Sequence, residues 1–241
     1  MILNSKADTL IKIQNKLNLF KIPNSHVFKV IDWNKDQNLI IFQIQKIFKK
    51  NKKIIVRSSS SLEDNLKTSA AGMFDSVLNI DPHNNRKLIA AIKKVIKSYN
   101  KYSNFINEEQ ILIQEMITGI KMSGVIFTGN NINNNSYYLI NYDDITGLTD
   151  TVTSGSSAHS NKTLYIYKDR IDLIRSKRFK LIAKATKELE CIFSNITLDV
   201  EFGLTKLNKL FLFQVRPVIN NKKSININHI LFKNKLNKTY E

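Results

Sequence analysis

Apolar residues in this chain follow two different spacings that alternate along its length, and this limits the fold more than any other feature. Short runs of strand character occur at 54–56, 74–80, 110–117, 122–128, 137–141, 163–167, 196–202 and 209–216. Between them lie stretches with helical spacing. Leu10, Ile13, Leu17 and Phe20 mark a helix over 6–19, preceded by the capping-box spacing of Ser5 and Asp8. Ile40, Ile41, Ile44, Ile47 and Phe48 mark a second over 35–50, and Asp81-Pro82 reads as the N-cap and first residue of a third reaching 102. Leu181, Ile182, Ala185, Leu189 and Ile192 mark a fourth over 178–193, with Cys191 placed in its core. The last two strands are separated by a short turn near Asn208 and read as a hairpin. Strands follow strands more often than helices, so the expected class is α+β with mainly antiparallel sheets. The chain's 241 residues suffice for one large domain or two small lobes.

Net charge is +17, which raises a nucleic-acid or anionic-surface partner as one reading. The excess is mostly lysine, however, with 31 Lys against 6 Arg, and base readout favours Arg. Lys, Asn and Ile share A/T-rich codons, so genome composition is a sufficient cause. Residues 1–56 carry +8, 57–216 carry +5 and 217–241 carry +4. The single cysteine excludes an internal disulfide framework. With no apolar run of about 18–20 residues and no apolar segment at the N-terminus, the expected location is the cytoplasm.

Two constellations carry chemistry. In the first, a strand delivers Arg57 to the mouth of a hydroxyl-rich stretch, Ser58-Ser59-Ser60-Ser61. A guanidinium with nearby hydroxyls and loop N–H groups suits phosphate oxygens. A strand-end arginine paired with Glu63 or Asp64 is the plainer alternative. In the second, strand alternation puts Asp199 and Glu201 on one face, and Gln214 and Arg216 on one face of the next strand, opposite Phe213 and Val215. Carboxylates suit Mg²⁺ and arginine suits the phosphates that Mg²⁺ bridges. The ordinary polar face of an antiparallel hairpin is the alternative here.

Taken in order, the blocks resemble a known family. Ile55-Val56-Arg57-Ser58-Ser59-Ser60-Ser61-Leu62-Glu63-Asp64, then Ser69-Ala70-Ala71-Gly72 and Val77-Leu78-Asn79-Ile80, are similar to the signature of the phosphoenolpyruvate synthase and pyruvate phosphate dikinase family. Ile113-Gln114-Glu115-Met116-Ile117, Ser123-Gly124-Val125-Ile126-Phe127-Thr128, Asp199-Val200-Glu201 and Gln214-Val215-Arg216-Pro217 continue it, and Lys6 stands where the family opens with a lysine. The resemblance spans residues 4–218.

That resemblance implies an ATP-grasp-type fold, two lobes enclosing a nucleotide cleft. The lobes are expected at 1–110 and 111–218, with a basic tail or linker over 219–241. It implies that Lys6 and Arg57 contact ATP phosphates under the 58–72 loop, and that the backbone of Gln114, Glu115, Met116 and Ile117 reads the adenine. Glu201 and Gln214, with Asp199, would hold Mg²⁺, and Arg216 would neutralise phosphate charge; Arg57 and Arg216 are the expected catalytic groups. Phosphoryl transfer would then pass to a histidine on a separate domain or partner, since the chain leaves no room for one after Pro217, and on to a small molecule. The sequence departs from the pattern at Asp143 and Asp150, which replace glutamates, and at Asn4-Ser5, which replace glycines; these features are more like the glutamine-kinase-like branch. His159, in a Gly/Ser/Thr-rich stretch over 147–160, reads as a surface or substrate-side residue. A non-catalytic nucleotide-binding module and a nucleic-acid-binding protein are the alternatives.

Overall fold

The computed structural model describes residues 5–51, 53–60, 75–100, 103, 105–129, 136–146 and 161–218. Residues 61–72 of the serine loop, Asp150, His159 and the segment 219–241 therefore lie outside the described residues.

Two antiparallel sheets form the frame. The first contains β1 (Ser25–Lys29), β2 (Ile54–Ser59), β3 (Ser76–Ile80) and β4 (Gln110–Glu115), in the order β1-β4-β2-β3. The second contains β5 (Ile120–Phe127), β6 (Tyr137–Asp143), β7 (Lys162–Tyr167), β8 (Leu198–Thr205) and β9 (Leu210–Pro217), in the order β7-β6-β5-β8-β9. The α+β class is observed.

Each sheet covers one core. Helices α2 (Val30–Lys35), α3 (Gln37–Ile47) and α4 (Asn85–Tyr99) pack on the first sheet, where Trp33, Ile44, Phe48, Leu88, Ile92 and Tyr99 meet Ile54, Val56, Ile111 and Ile113. Helix α5 (Lys177–Ile192) packs on the second through Ile182, Ala185 and Leu189 against Val200, Phe202 and Ile140. Burying side chains of this size contributes about 1.5–3 kcal/mol each, which sets the facing of every strand.

The connection between sheets differs from the expected lobe boundary. Gln110–Glu115, placed across the 110/111 boundary, is a strand of the first sheet, hydrogen-bonded between β1 and β2. Helix α1 (Lys6–Ile13), followed by a 3-10 turn to Lys16, packs Ala7, Leu10 and Ile13 into the second core together with Leu112 of β4. Lys21 then runs along β9, its N–H donating to Leu210 O and its carbonyl accepting from Leu212 N. Helix α1 and β4 thus tie the two sheets together.

Smaller corrections follow from capping and burial. Helix α4 starts at Asn85 under an Asn84 cap that accepts from Lys87 N, while Asp81 accepts from His83 N in the preceding turn. Cys191 is exposed, because the buried stripe of α5 runs through Leu189 and Glu190. Glu190 is stabilised there by Lys168 and by the Tyr138 hydroxyl. The turn between β8 and β9 contains Asn208 at φ 57°, a conformation that asparagine tolerates.

Candidate functional site

Arg57 reaches the site because β2 is buried on one face only. Ile54, Val56 and Ser58 point into the helix-covered core, while Arg57 projects toward the second sheet. The residues at its end anchor α1. Ser59 Oγ accepts from Ala7 N at 2.9 Å, and Ser5 Oγ accepts from Asp8 N at 3.2 Å, so two of the helix's free N–H groups are satisfied. Gln110 closes the arrangement, accepting from Ser5 Oγ at 2.6 Å and donating to Asp8 Oδ1 at 3.0 Å. Asp8 therefore binds β4 rather than completing a capping box. Lys6 is consequently held beside the end of β2.

The second half of the site comes from the β8–β9 hairpin. Asp199 lies opposite Arg216 and Glu201 opposite Gln214, as the alternation predicts. Arg216 Nε and Nη2 both donate to Asp199 Oδ2, each at 2.7 Å. Burial pushes the Asp199 carboxyl above its ordinary value, against the opposing pull of Arg216, and the Lys6 charge also reaches it.

One feature of the hairpin differs from strict alternation. The register shifts after Glu201, so that Phe202 faces Leu212. The Phe213 ring consequently lies over Gly203, where an added Cβ would approach it to 2.6 Å, and Phe213 shares a face with Gln214 instead of opposing it. Its carbonyl enters the site. Gly124 has a similar steric role at the centre of the sheet, where a Cβ would lie 2.2 Å from Asn141 O.

The halves meet at Arg57. Its Nη2 donates to Glu201 Oε2 and Gln214 Oε1, both at 3.3 Å, and its Nη1 donates to Phe213 O at 3.5 Å. Groups separated by 144 and 157 positions in sequence thus converge on one guanidinium.

Gln114 and Glu115 end β4, and Met116 and Ile117 begin the connection to β5. This segment is clamped from both sides, since Glu115 N donates to Asn24 O and Met116 N to Lys53 O. Gln114 is fully buried, donates to Ser25 Oγ at 3.5 Å, and leaves its Oε1 without a hydrogen-bond partner. Ser25 also lines a cavity of about 390 Å³ with Leu10, Pro23 and Leu112.

Asp143 is placed differently from a ligand-binding acid. It is buried, and its carboxylate accepts from Ile145 N, Thr146 N and the Thr146 hydroxyl. Asp144 is held below the usual carboxylate range by its hydrogen bond to Lys162, with Arg178 assisting.

Among the described residues no group of three or more His, Cys, Asp and Glu is placed to hold a metal ion. The oxygens around Arg57, one carboxylate, one amide and one carbonyl, are nevertheless hard donors suited to Mg²⁺, whose remaining positions phosphate and water would fill. Two contributors escaped the sequence reading. The Phe213 carbonyl gave no signal, whereas Gln110 did: two glutamines flank Leu112 on one face of an otherwise apolar strand.

Comparison with known proteins accords with this arrangement. The family model of the pyruvate phosphate dikinase AMP/ATP-binding domain matches residues 34–177. A search of curated proteins finds no significant match. Among solved structures, a D-alanine–D-alanine ligase from Helicobacter pylori is similar, at 13% identity and a TM-score of 0.50, over 90% of this chain and 51% of the ligase. The protein PH1788 from Pyrococcus horikoshii is similar at 13% identity and a TM-score of 0.53, over 90% of both chains. The fold is therefore of ATP-grasp type. The chain spans about half the length of the ligases it matches.

Proposed function

The chain belongs to the pyruvate phosphate dikinase AMP/ATP-binding domain family, and on that footing we propose that it binds Mg–ATP between its two sheets and prepares a phosphoryl group for transfer. The observation that carries this reading is the meeting of Arg57 from β2 with Glu201 and Gln214 from the hairpin. Arg57 grips phosphate oxygens in this account, with Lys6 beside it at the start of α1. Arg216, oriented by Asp199, adds positive charge along the same face. Glu201 and Gln214 hold Mg²⁺, and Asp199 serves mainly to position Arg216. When bound, Mg²⁺ neutralises the phosphate oxygens it bridges.

The adenine lies along residues 114–117. The buried, unpartnered Gln114 Oε1 supports this, because an exocyclic amine would satisfy it and a buried acceptor without a donor costs about 1–3 kcal/mol. Transfer to a histidine of another domain or chain, and then to a small acceptor, rests on the family resemblance. Turnover of ATP only when a histidine-bearing domain is supplied tests that step.

A thermal-shift titration tests nucleotide binding itself: Mg–ATP stabilises the wild type and fails to stabilise Arg57→Ala or Glu201→Gln. One observation favours a second reading, a nucleotide-binding module without catalysis. Asp143, expected to serve the site, is engaged in the 145–146 turn. Binding without turnover in the presence of the histidine domain would select that reading.

A further inference from the structure

We propose that Arg57 is itself the resident cation of the Glu201–Gln214 site, so that a divalent metal ion and the guanidinium exclude each other there. This rests on the reading that the cleft takes Mg–ATP and adds how the free protein keeps its metal site closed. The three oxygens that would receive a metal, Glu201 Oε2, Gln214 Oε1 and Phe213 O, all accept from Arg57, at 3.3, 3.3 and 3.5 Å. These contacts are at or beyond the long end of the hydrogen-bond range, so the guanidinium is held loosely. By contrast, Arg216 sits 2.7 Å from Asp199.

Charge decides the competition. The cluster around Arg57 offers one carboxylate, which balances one guanidinium and does not balance a guanidinium together with a doubly charged ion. The side chains of Arg57 and Glu201 are only 14% and 24% exposed, so water screens their interaction little. A metal ion entering the site expels Arg57, whose fork of donors is then free for phosphate. A polyphosphate drawing Arg57 away likewise opens the oxygens to metal. Binding of the two is therefore mutually reinforcing, and metal alone binds weakly.

Mn²⁺ titration of the full chain without nucleotide, with free Mn²⁺ read by electron paramagnetic resonance, tests this. Arg57→Gln should bind Mn²⁺ about tenfold tighter than wild type, whereas Lys6→Gln, which removes a charge from the same cleft without vacating the oxygens, should change affinity by about twofold or less. Adding Glu201→Gln to Arg57→Gln should abolish the gain. No tightening in Arg57→Gln, equal tightening in Lys6→Gln, or a gain that survives Glu201→Gln would each overturn the proposal. Where circular dichroism shows that Arg57→Gln is unfolded, the wild type labelled with ¹⁵N-arginine supplies the test. Saturating Mg²⁺ alone should shift the Arg57 Nε–H signal, assigned by its absence in Arg57→Lys; an unmoved signal overturns the proposal. Mg–ATP stabilisation of the wild type without the Arg57→Gln gain defeats this inference alone. The gain without Mg–ATP stabilisation defeats the nucleotide reading alone.

Discussion

The molecule contains two arginine–carboxylate pairs within one cleft, and they differ in origin and tightness. Arg216 and Asp199 face each other across a hairpin, and two nitrogens converge on one oxygen at 2.7 Å. Arg57 and Glu201 come from different sheets and meet at 3.3 Å. Strand register fixes the first pair before any tertiary contact forms. The second exists only when the sheets are in place, and either partner can exchange it for a ligand at small cost. One pair builds the site and the other operates it.

The largest expected effect falls on the operating pair. Arg57→Ala should weaken Mg–ATP binding about 100-fold while altering the unfolding free energy of the free protein by only about 1 kcal/mol. Isothermal titration and urea unfolding measure the two, and a large loss of stability with unchanged affinity would reverse the roles assigned to the pairs.

The building pair should respond in the opposite sense. Asp199→Ala leaves Arg216 without its carboxylate acceptor and should cost about 2 kcal/mol, whereas Asp199→Asn retains an acceptor, removes a buried charge and should cost less than about 1 kcal/mol. Equal losses in urea unfolding would show that charge, rather than an acceptor, holds Arg216.

Acidity sharpens the contrast. The Asp199 carboxyl lies above its ordinary value of 3.8, so the folded protein takes up this proton before the unfolded chain does. Wild-type stability should therefore rise relative to Asp199→Asn as pH falls from the folded pKa toward about 3.8, and the difference should be flat below that. A difference that falls with acid would mean that Arg216 outweighs burial.

The smallest effect concerns the bulge. Gly203→Ala forces the Phe213 ring aside and should cost about 1–2 kcal/mol by thermal unfolding, because the ring can move where a backbone atom cannot. An Mg–ATP affinity unchanged by this substitution would separate the Phe213 carbonyl from the site.

The hairpin and its polar face were legible in sequence because a period of two assigns each side chain to a face. Arg57 was legible as a lone guanidinium at a strand end. What alternation leaves open is which face of one sheet meets which face of another, and the Arg57–Glu201 contact depends on that. Helix α1 shows the same limit: its apolar stripe was plain, but Leu10 and Ile13 pack with the second sheet. The bulge that turns Phe213 inward, the Asn84 cap and the exposure of Cys191 arise from local geometry that periodicity does not encode.

The central claim is that Mg–ATP occupies the cleft by replacing the contacts of the Arg57–Glu201 pair. Calorimetric titration of the wild type and the Arg57→Ala, Glu201→Ala double mutant cycle measures it directly. Mg–ATP should bind the wild type, and both single variants should lose nearly all of that binding, with the double variant little worse than either. Wild-type protein that takes up no Mg–ATP, or variants that bind it as the wild type does, would contradict the account.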